Sequence, residues 1–222
     1  MIESKRLKDF VEDINLVYDK LCLDVNLYVR SSLERLRDRL ISLYMHRLVK
    51  INHSVMELTI AKELLLKGYS VDVEFLLDDL ISCDVYGVKG DGTMIVEVET
   101  GYVPPLHALD PTRYLKARIV SKISRYSNYS EKFCLAFPLY YLPDVNGIFF
   151  VPPRFREKKQ LDEVKVLCDY YYKSPPVSLD EIRNARLHSL YIIDVDSAQA
   201  YEMDLETYKE VFNIYSNYVS RI

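Results

Sequence analysis

No stretch of this 222-residue chain approaches the roughly 20 consecutive apolar residues that a membrane-spanning helix needs, because its most apolar runs are interrupted by acids within a few residues. The first residues, MIESKRLKDF, are charged from Glu3 onward and carry no apolar segment of the secretory-leader kind, so the cytosol (a cytoplasmic protein) is the expected location. Cysteine is scarce. Cys22, Cys83, Cys134 and Cys168 lie far apart and form no CxxC pair, which argues against a zinc ribbon or a redox motif. They read as buried thiols, with an intracellular disulfide the alternative that a hyperthermophilic source would allow. There is no GxxxxGK[ST] loop, which argues against a P-loop ATPase, and no GxSxG elbow of a Ser/His/Asp hydrolase. Repeats and low-complexity tracts are also missing.

What is present is a chain that is 49% hydrophobic and 28% charged, long enough to bury a sizeable core. Its net charge of −4 is uneven: residues 102–160 hold ten Lys/Arg against four Asp/Glu, a local +6 that leaves −10 elsewhere. A basic segment inside an acidic protein suggests a surface that faces a polyanion, although many charge runs are simply solvated faces.

Residues 2–50 contain neither Gly nor Pro and show helical periodicity, with Leu33, Leu36, Leu40, Leu43 and Leu48 on one stripe. Two helices are expected there, the second long. A third helix is expected to open at Ser54-Val55-Met56-Glu57 and to stop at Gly68. Three strand-like runs follow, at 69–77, 81–88 and 93–100, with Gly90-Asp91-Gly92 as the hairpin turn between the last two. A helix starting at Pro111 and ending near Ser127, then a strand at 132–137, complete an αβββαβ order. Beyond it the sequence predicts a helix near 158–172, a strand at 190–194 and a terminal helix from Leu205. The expected class is therefore α/β (α+β), with a helical extension at 1–50 and a domain at 51–222 whose core spans about 52–138.

The hairpin carries the chemistry. Pairing Val88 with Thr93 across the turn sets a register that places Asp84 opposite Glu97. Directly opposed carboxylates repel, so something should compensate them. Strand alternation puts Glu97 and Glu99 on one face and Met94, Val96 and Val98 on the other. At 100° per residue Glu57 falls amid Ile60, Ala61, Leu64 and Leu65, on the helix face that should pack against the sheet. A capping box from Ser54 to Glu57 is the structural alternative for that acid. Four converging acids suit a hard cation such as Mg²⁺ or Mn²⁺ and the phosphoryl chemistry that such ions support.

Glu57, then Asp84 in SCDVYG, then Glu97-Val98-Glu99 in IVEVET resemble the motif of the PD-(D/E)XK nuclease superfamily, whose core is αβββαβ with a helix Glu, a strand Asp and a following (D/E)-x-K. The spacings of 27 and 13 residues look like those of archaeal Holliday-junction resolvases and related archaeal or viral nucleases, and the resemblance covers about residues 52–138. It implies a restriction-endonuclease-like mixed sheet and a metal-dependent nuclease acting on DNA, with RNA as the other candidate polymer. It further implies a metal held by Asp84, Glu97 and Glu57, and, as in many nucleases of this fold, a homodimer. Glu99 stands where the family has lysine, as in some E-x-E restriction enzymes of the superfamily. Glu99 is then a further ligand or orients the attacking water.

Lys116 and Lys122 flank the apolar stripe Leu115, Ile119, Ile123 and Tyr126 of the next helix and both can reach the sheet. Lys122 is the favoured substitute, since Arg118 and Arg125 lie on its side and would extend a basic strip along a nucleic-acid backbone. Arg154, Arg156, Lys158 and Lys159 are further candidates for phosphate contact. His53 lies four residues before Glu57, hence on the same face, either near a metal or as a helix-flanking residue. The 19 tyrosines, among them Tyr170, Tyr171 and Tyr172, include candidates for base stacking, though most should be packing residues. Two other readings stand beside the nuclease: a non-catalytic nuclease-fold DNA-binding or assembly module, and an oligomerisation role for the N-terminal leucine stripe.

Overall fold

A computed structural model of the protein describes residues 2–79 and 81–219; the outer ends of the two expected ranges, residues 1 and 220–222, lie outside the described residues. Polar capping chemistry divides the first fifty residues into the two helices expected, the second long and the first of nearly equal length. They are α1 (Ile2–Leu21) and α2 (Leu27–Met45). Asp24 takes a positive φ of 58° between them, and the Asn26 side chain accepts from the Val29 N–H at 2.9 Å to start α2. Leu33, Leu36 and Leu40 are fully buried on the chain's own core, while Leu43 packs partly and Leu48 lies beyond the helix, exposed.

Helix α3 (Ile51–Leu66) begins one turn before the expected Ser54 start, with Lys50 as its cap. Burial accounts for the extra turn, because α3 lies between the sheet and the α1–α2 pair and is apolar on most sides. Ser54 and Glu57 therefore sit inside the helix, where the Ser54 N–H already donates to Lys50 O at 3.0 Å, and the capping-box alternative does not apply.

The chain then forms β1 (Ser70–Leu76), β2 (Ser82–Lys89), β3 (Gly92–Val98), α4 (Pro111–Tyr126) and β4 (Lys132–Pro138). After these come α5 (Lys158–Tyr171), α6 (Leu179–Asn184), β5 (Ser189–Asp194), β6 (Gln199–Met203) and α7 (Leu205–Val219). The six strands make one sheet in sequence order. β1, β2 and β3 are antiparallel neighbours, β4 and β5 run parallel to β3, and β6 returns antiparallel. This is the mixed α/β architecture expected, with α6 and β6 added.

Both parallel crossovers, through α4 and through α5–α6, lie on the same face of the sheet, as a single handedness requires when strand order keeps advancing. Helices α1–α3 cover the other face. At the β2–β3 turn Lys89 pairs with Gly92 and Gly90 takes φ +60°, a conformation that a side chain would oppose. The four cysteines are free and buried. Among the described residues no helix is long and apolar enough to cross a membrane.

Candidate functional site

The β2–β3 register is the one the hairpin dictates, and the paired ladder runs from Lys89↔Gly92 to Val85↔Val96. Asp84 and Glu97 come next, and side chains take over from the ladder there. The Asp84 N–H donates to Glu97 Oε1 at 3.1 Å, and the Val98 N–H donates to Asp84 Oδ2 at 2.6 Å. Two carboxylates thus stand in the fork between the strands, at the carboxyl end of β3. Because the fork opens the sheet, Asp84 reaches groups from both helical layers.

From the α3 side, His53 and Glu57 approach on one helix face. His53 Nε2 lies 3.1 Å from Asp84 Oδ2 and 3.9 Å from Glu57 Oε1. Glu57 is fully buried, and neither of its carboxylate oxygens has a hydrogen-bond partner. Burial first, then the negative charges of Asp84, Glu74 and Glu97, push its pKa well above the ordinary carboxylate range. His53, Glu57 and Asp84 each offer one ligand atom within 4.8 Å of the others, a set that could hold a metal ion.

From the α4 side, Lys122 enters the fork. Its Nζ lies 3.1 Å from Asp84 Oδ2, 3.0 Å from Glu97 Oε2 and 3.1 Å from Glu99 Oε1, and donates to Val98 O at 2.8 Å. Arg118 sits one helical turn earlier with Nε 2.9 Å from Glu99 Oε2. Burial opposes the charge on Lys122, but Asp84, Glu97 and Glu99 override it and raise its pKa well above the usual lysine value. Asp84 is likewise penalised by burial, yet Lys122, His53 and the Val98 N–H hold its pKa well below the carboxylate range. Glu97 goes the other way: burial and the adjacent Asp84 lift it to about 8 against the pull of Lys122. The compensation that the opposed acids demanded is a buried ammonium.

The expected phosphate-binding residues divide. Arg156 is buried, and its guanidinium donates to the carbonyls of Ile148, Val151, Ile182 and Arg183 at 2.8–3.1 Å, so it ties the loop before α5 to α6 and is no surface phosphate contact. Burial lowers its pKa to about 10. Arg118 is engaged with Glu99, and Arg125 donates to Pro175 O and lies over the Tyr172 ring, so the strip along α4 turns inward. Lys116 pairs with Asp144 at 2.7 Å in partly exposed surroundings. Arg154, Lys158 and Lys159 are exposed. Of the three consecutive tyrosines, only Tyr170 is largely open to solvent; Tyr171 hydrogen-bonds Asp110.

Sequence reasoning missed Glu74. It occupies the β1 position opposite Asp84, between the pairs Val73↔Val85 and Phe75↔Cys83. The acids Asp72 and Glu74 alternating with Val71, Val73 and Phe75 were a usable signal, but the β1–β2 register was needed to read it. Comparison with protein-family models, with curated proteins and with solved structures returned no match.

Proposed function

We propose that the protein is a metal-dependent nuclease of the PD-(D/E)XK type that hydrolyses phosphodiester bonds of DNA. The observation that carries this reading is Glu57. Two buried carboxylate oxygens without a partner, beside His53 and Asp84, are a costly arrangement that a divalent cation would satisfy. Imidazole and carboxylate donors fit Mn²⁺, and the carboxylates alone fit Mg²⁺. His53, Glu57 and Asp84 would hold the ion. When bound, it polarises the scissile phosphate and eases deprotonation of water.

The remaining work falls to side chains of known position. Lys122, kept charged by three carboxylates, faces the fork and stabilises negative charge developing on the phosphate. Glu97, with a pKa near 8, exchanges a proton close to neutral pH and serves as acceptor for the attacking water. Glu99, held by Arg118, is a positioning residue that fixes Lys122. The exposed cations Arg154, Lys158 and Lys159 lie in the basic segment that supports a polyanionic substrate.

The test is cleavage of labelled single-stranded, duplex and four-way-junction DNA, and of matched RNA, in Mg²⁺, Mn²⁺ or EDTA, with Asp84→Asn as control. Metal-dependent cleavage lost in Asp84→Asn is expected. Cleavage that persists in EDTA, or none on any substrate with either metal, overturns the proposal. One observation favours a second reading: Lys122 already neutralises the acids of the fork from within, as a non-catalytic DNA-binding module would need. Salt-sensitive DNA binding without cleavage would select it.

A further inference from the structure

Resting on the reading of the fork as a DNA-cleaving centre, we propose that the cavity at the carboxyl ends of β4 and β5 receives an unpaired nucleobase of the substrate strand. The substrate is then single-stranded DNA or an unpaired stretch of it, and a continuous duplex is bound less well. The cavity measures about 290 Å³. Buried Val55 and Met56 of α3, Pro138 of β4 and Ile193 of β5 make its apolar floor. Asn52, Tyr140, Asp194 and Asp196 form the rest of its wall.

One helix serves both places. In α3, His53 and Glu57 lie four residues apart on the stripe that meets the fork, and Asn52 and Met56 form the adjoining stripe, about 100° round. The fork opens between β2 and β3 and the cavity between β4 and β5, two strand spacings away, or roughly 10 Å. Ligands of open α/β sheets sit outside the carboxyl ends of parallel strands, and β3, β4 and β5 all end on this side. A phosphate at the fork therefore leaves the base of a neighbouring nucleotide at the cavity.

The wall chemistry selects a base over a phosphate. Two carboxylates and an amide line the cavity, with no cation among the described residues, so an anion is repelled while the amino groups of a base find acceptors. Tyr140 supplies a stacking face. The Tyr141 N–H donates to Pro138 O at 3.0 Å, closing a turn with Tyr140 near its tip, and the Leu139 N–H donates to Ile193 O at 3.1 Å. The turn is also tied to the strand of the fork. Gly101, two residues past Glu99, has φ +73°, and a Cβ there would lie 2.7 Å from the Tyr141 ring. Tyr140, by contrast, is 75% exposed. An aromatic side chain held in water by a fixed turn suits stacking on a free base, whereas the bases of a duplex are already stacked and paired.

The test is fluorescence anisotropy of a labelled mixed-sequence single strand and of its duplex, titrated in EDTA with the full-length wild type, Tyr140→Ala and Tyr140→Phe, with a melting temperature for each. Wild type should bind the single strand more tightly than the duplex. Tyr140→Ala should weaken single-strand binding about tenfold and leave duplex binding and Tm unchanged, and Tyr140→Phe, which keeps the ring, should bind like wild type. Unchanged single-strand affinity in Tyr140→Ala overturns the proposal, and so does an equal loss on the duplex. Cleavage in Mg²⁺ or Mn²⁺ is scored beside it. The Tyr140 effect without any cleavage brings down the nuclease and keeps the base cavity as part of a DNA-binding module; cleavage without the Tyr140 effect does the reverse. A wild type that binds neither form of DNA brings down both.

Discussion

Asp84 divides the site into halves of opposite character. On the α4 side, Glu97 and Glu99 are each within 3.1 Å of Lys122, and Arg118 adds a second cation on Glu99. On the α3 side, both Glu57 oxygens lack a hydrogen-bond partner, and His53 Nε2 lies 3.9 Å from Glu57 Oε1. Both halves bury acids, but only one brings its own counter-charge. Buried carboxylates without cations are tolerated where an external ligand provides the compensation. On the proposed reading, an incoming cation would enter on the α3 side, opposite the lysine.

Three measurements bear on this asymmetry. The largest effect belongs to Lys122→Met, which strips the paired half of its cation and leaves three buried acids opposed; metal-free stability should fall by about 3–5 kcal/mol in urea unfolding. Glu57→Gln acts on the unpaired half and should have the opposite sign. Removing an acid that must take up a proton on folding raises metal-free stability near neutral pH by about 1–3 kcal/mol. If both substitutions destabilise, the two halves are alike and the comparison fails.

The smallest effect per step is on pH dependence, at about 1.4 kcal/mol per pH unit for each proton that only the folded state holds. Glu57 and Glu97 have folded-state pKa values above those of the unfolded chain, Glu97 near 8. The folded protein therefore holds protons that the unfolded chain has released, and metal-free stability should decline as pH rises from about 4.5 through 8. Asp84, lowered by its cations, contributes stability that is complete above its unfolded pKa and is lost only in acid, so it adds no slope in that window. Unfolding free energies at pH 5, 6, 7 and 8 check this, and Glu57→Gln should flatten the profile.

Much of the fold was legible because its signals are local. The αβββαβ order followed from period-2 and period-3.6 patterns punctuated by Gly68, the Gly90–Gly92 turn and Pro111. The opposition of Asp84 and Glu97 followed from a two-residue turn, since a hairpin's register is set by its connection. Lys122 was reachable from helix geometry, which put it at the edge of a stripe that had to face the sheet. Less legible were the positions settled by distant partners. Arg156 reads as a surface cation until α6 packs against its loop and four carbonyls converge on it. The capping-box alternative for Ser54 and Glu57 stays open until burial extends α3 by a turn.

The sequence by itself determined that Glu57, Asp84, Glu97 and Glu99 come together, because hairpin register and helical period are properties of neighbouring residues along the chain. It placed Lys122 as well, at the edge of a helical stripe that faces the sheet. Only the tertiary structure decided how the charges divide. The fork and its surroundings arise where α3, β2, β3 and α4 meet, and the electrostatic character of each carboxylate depends on which of those elements lies within a few ångströms, a distance that separation along the chain does not encode.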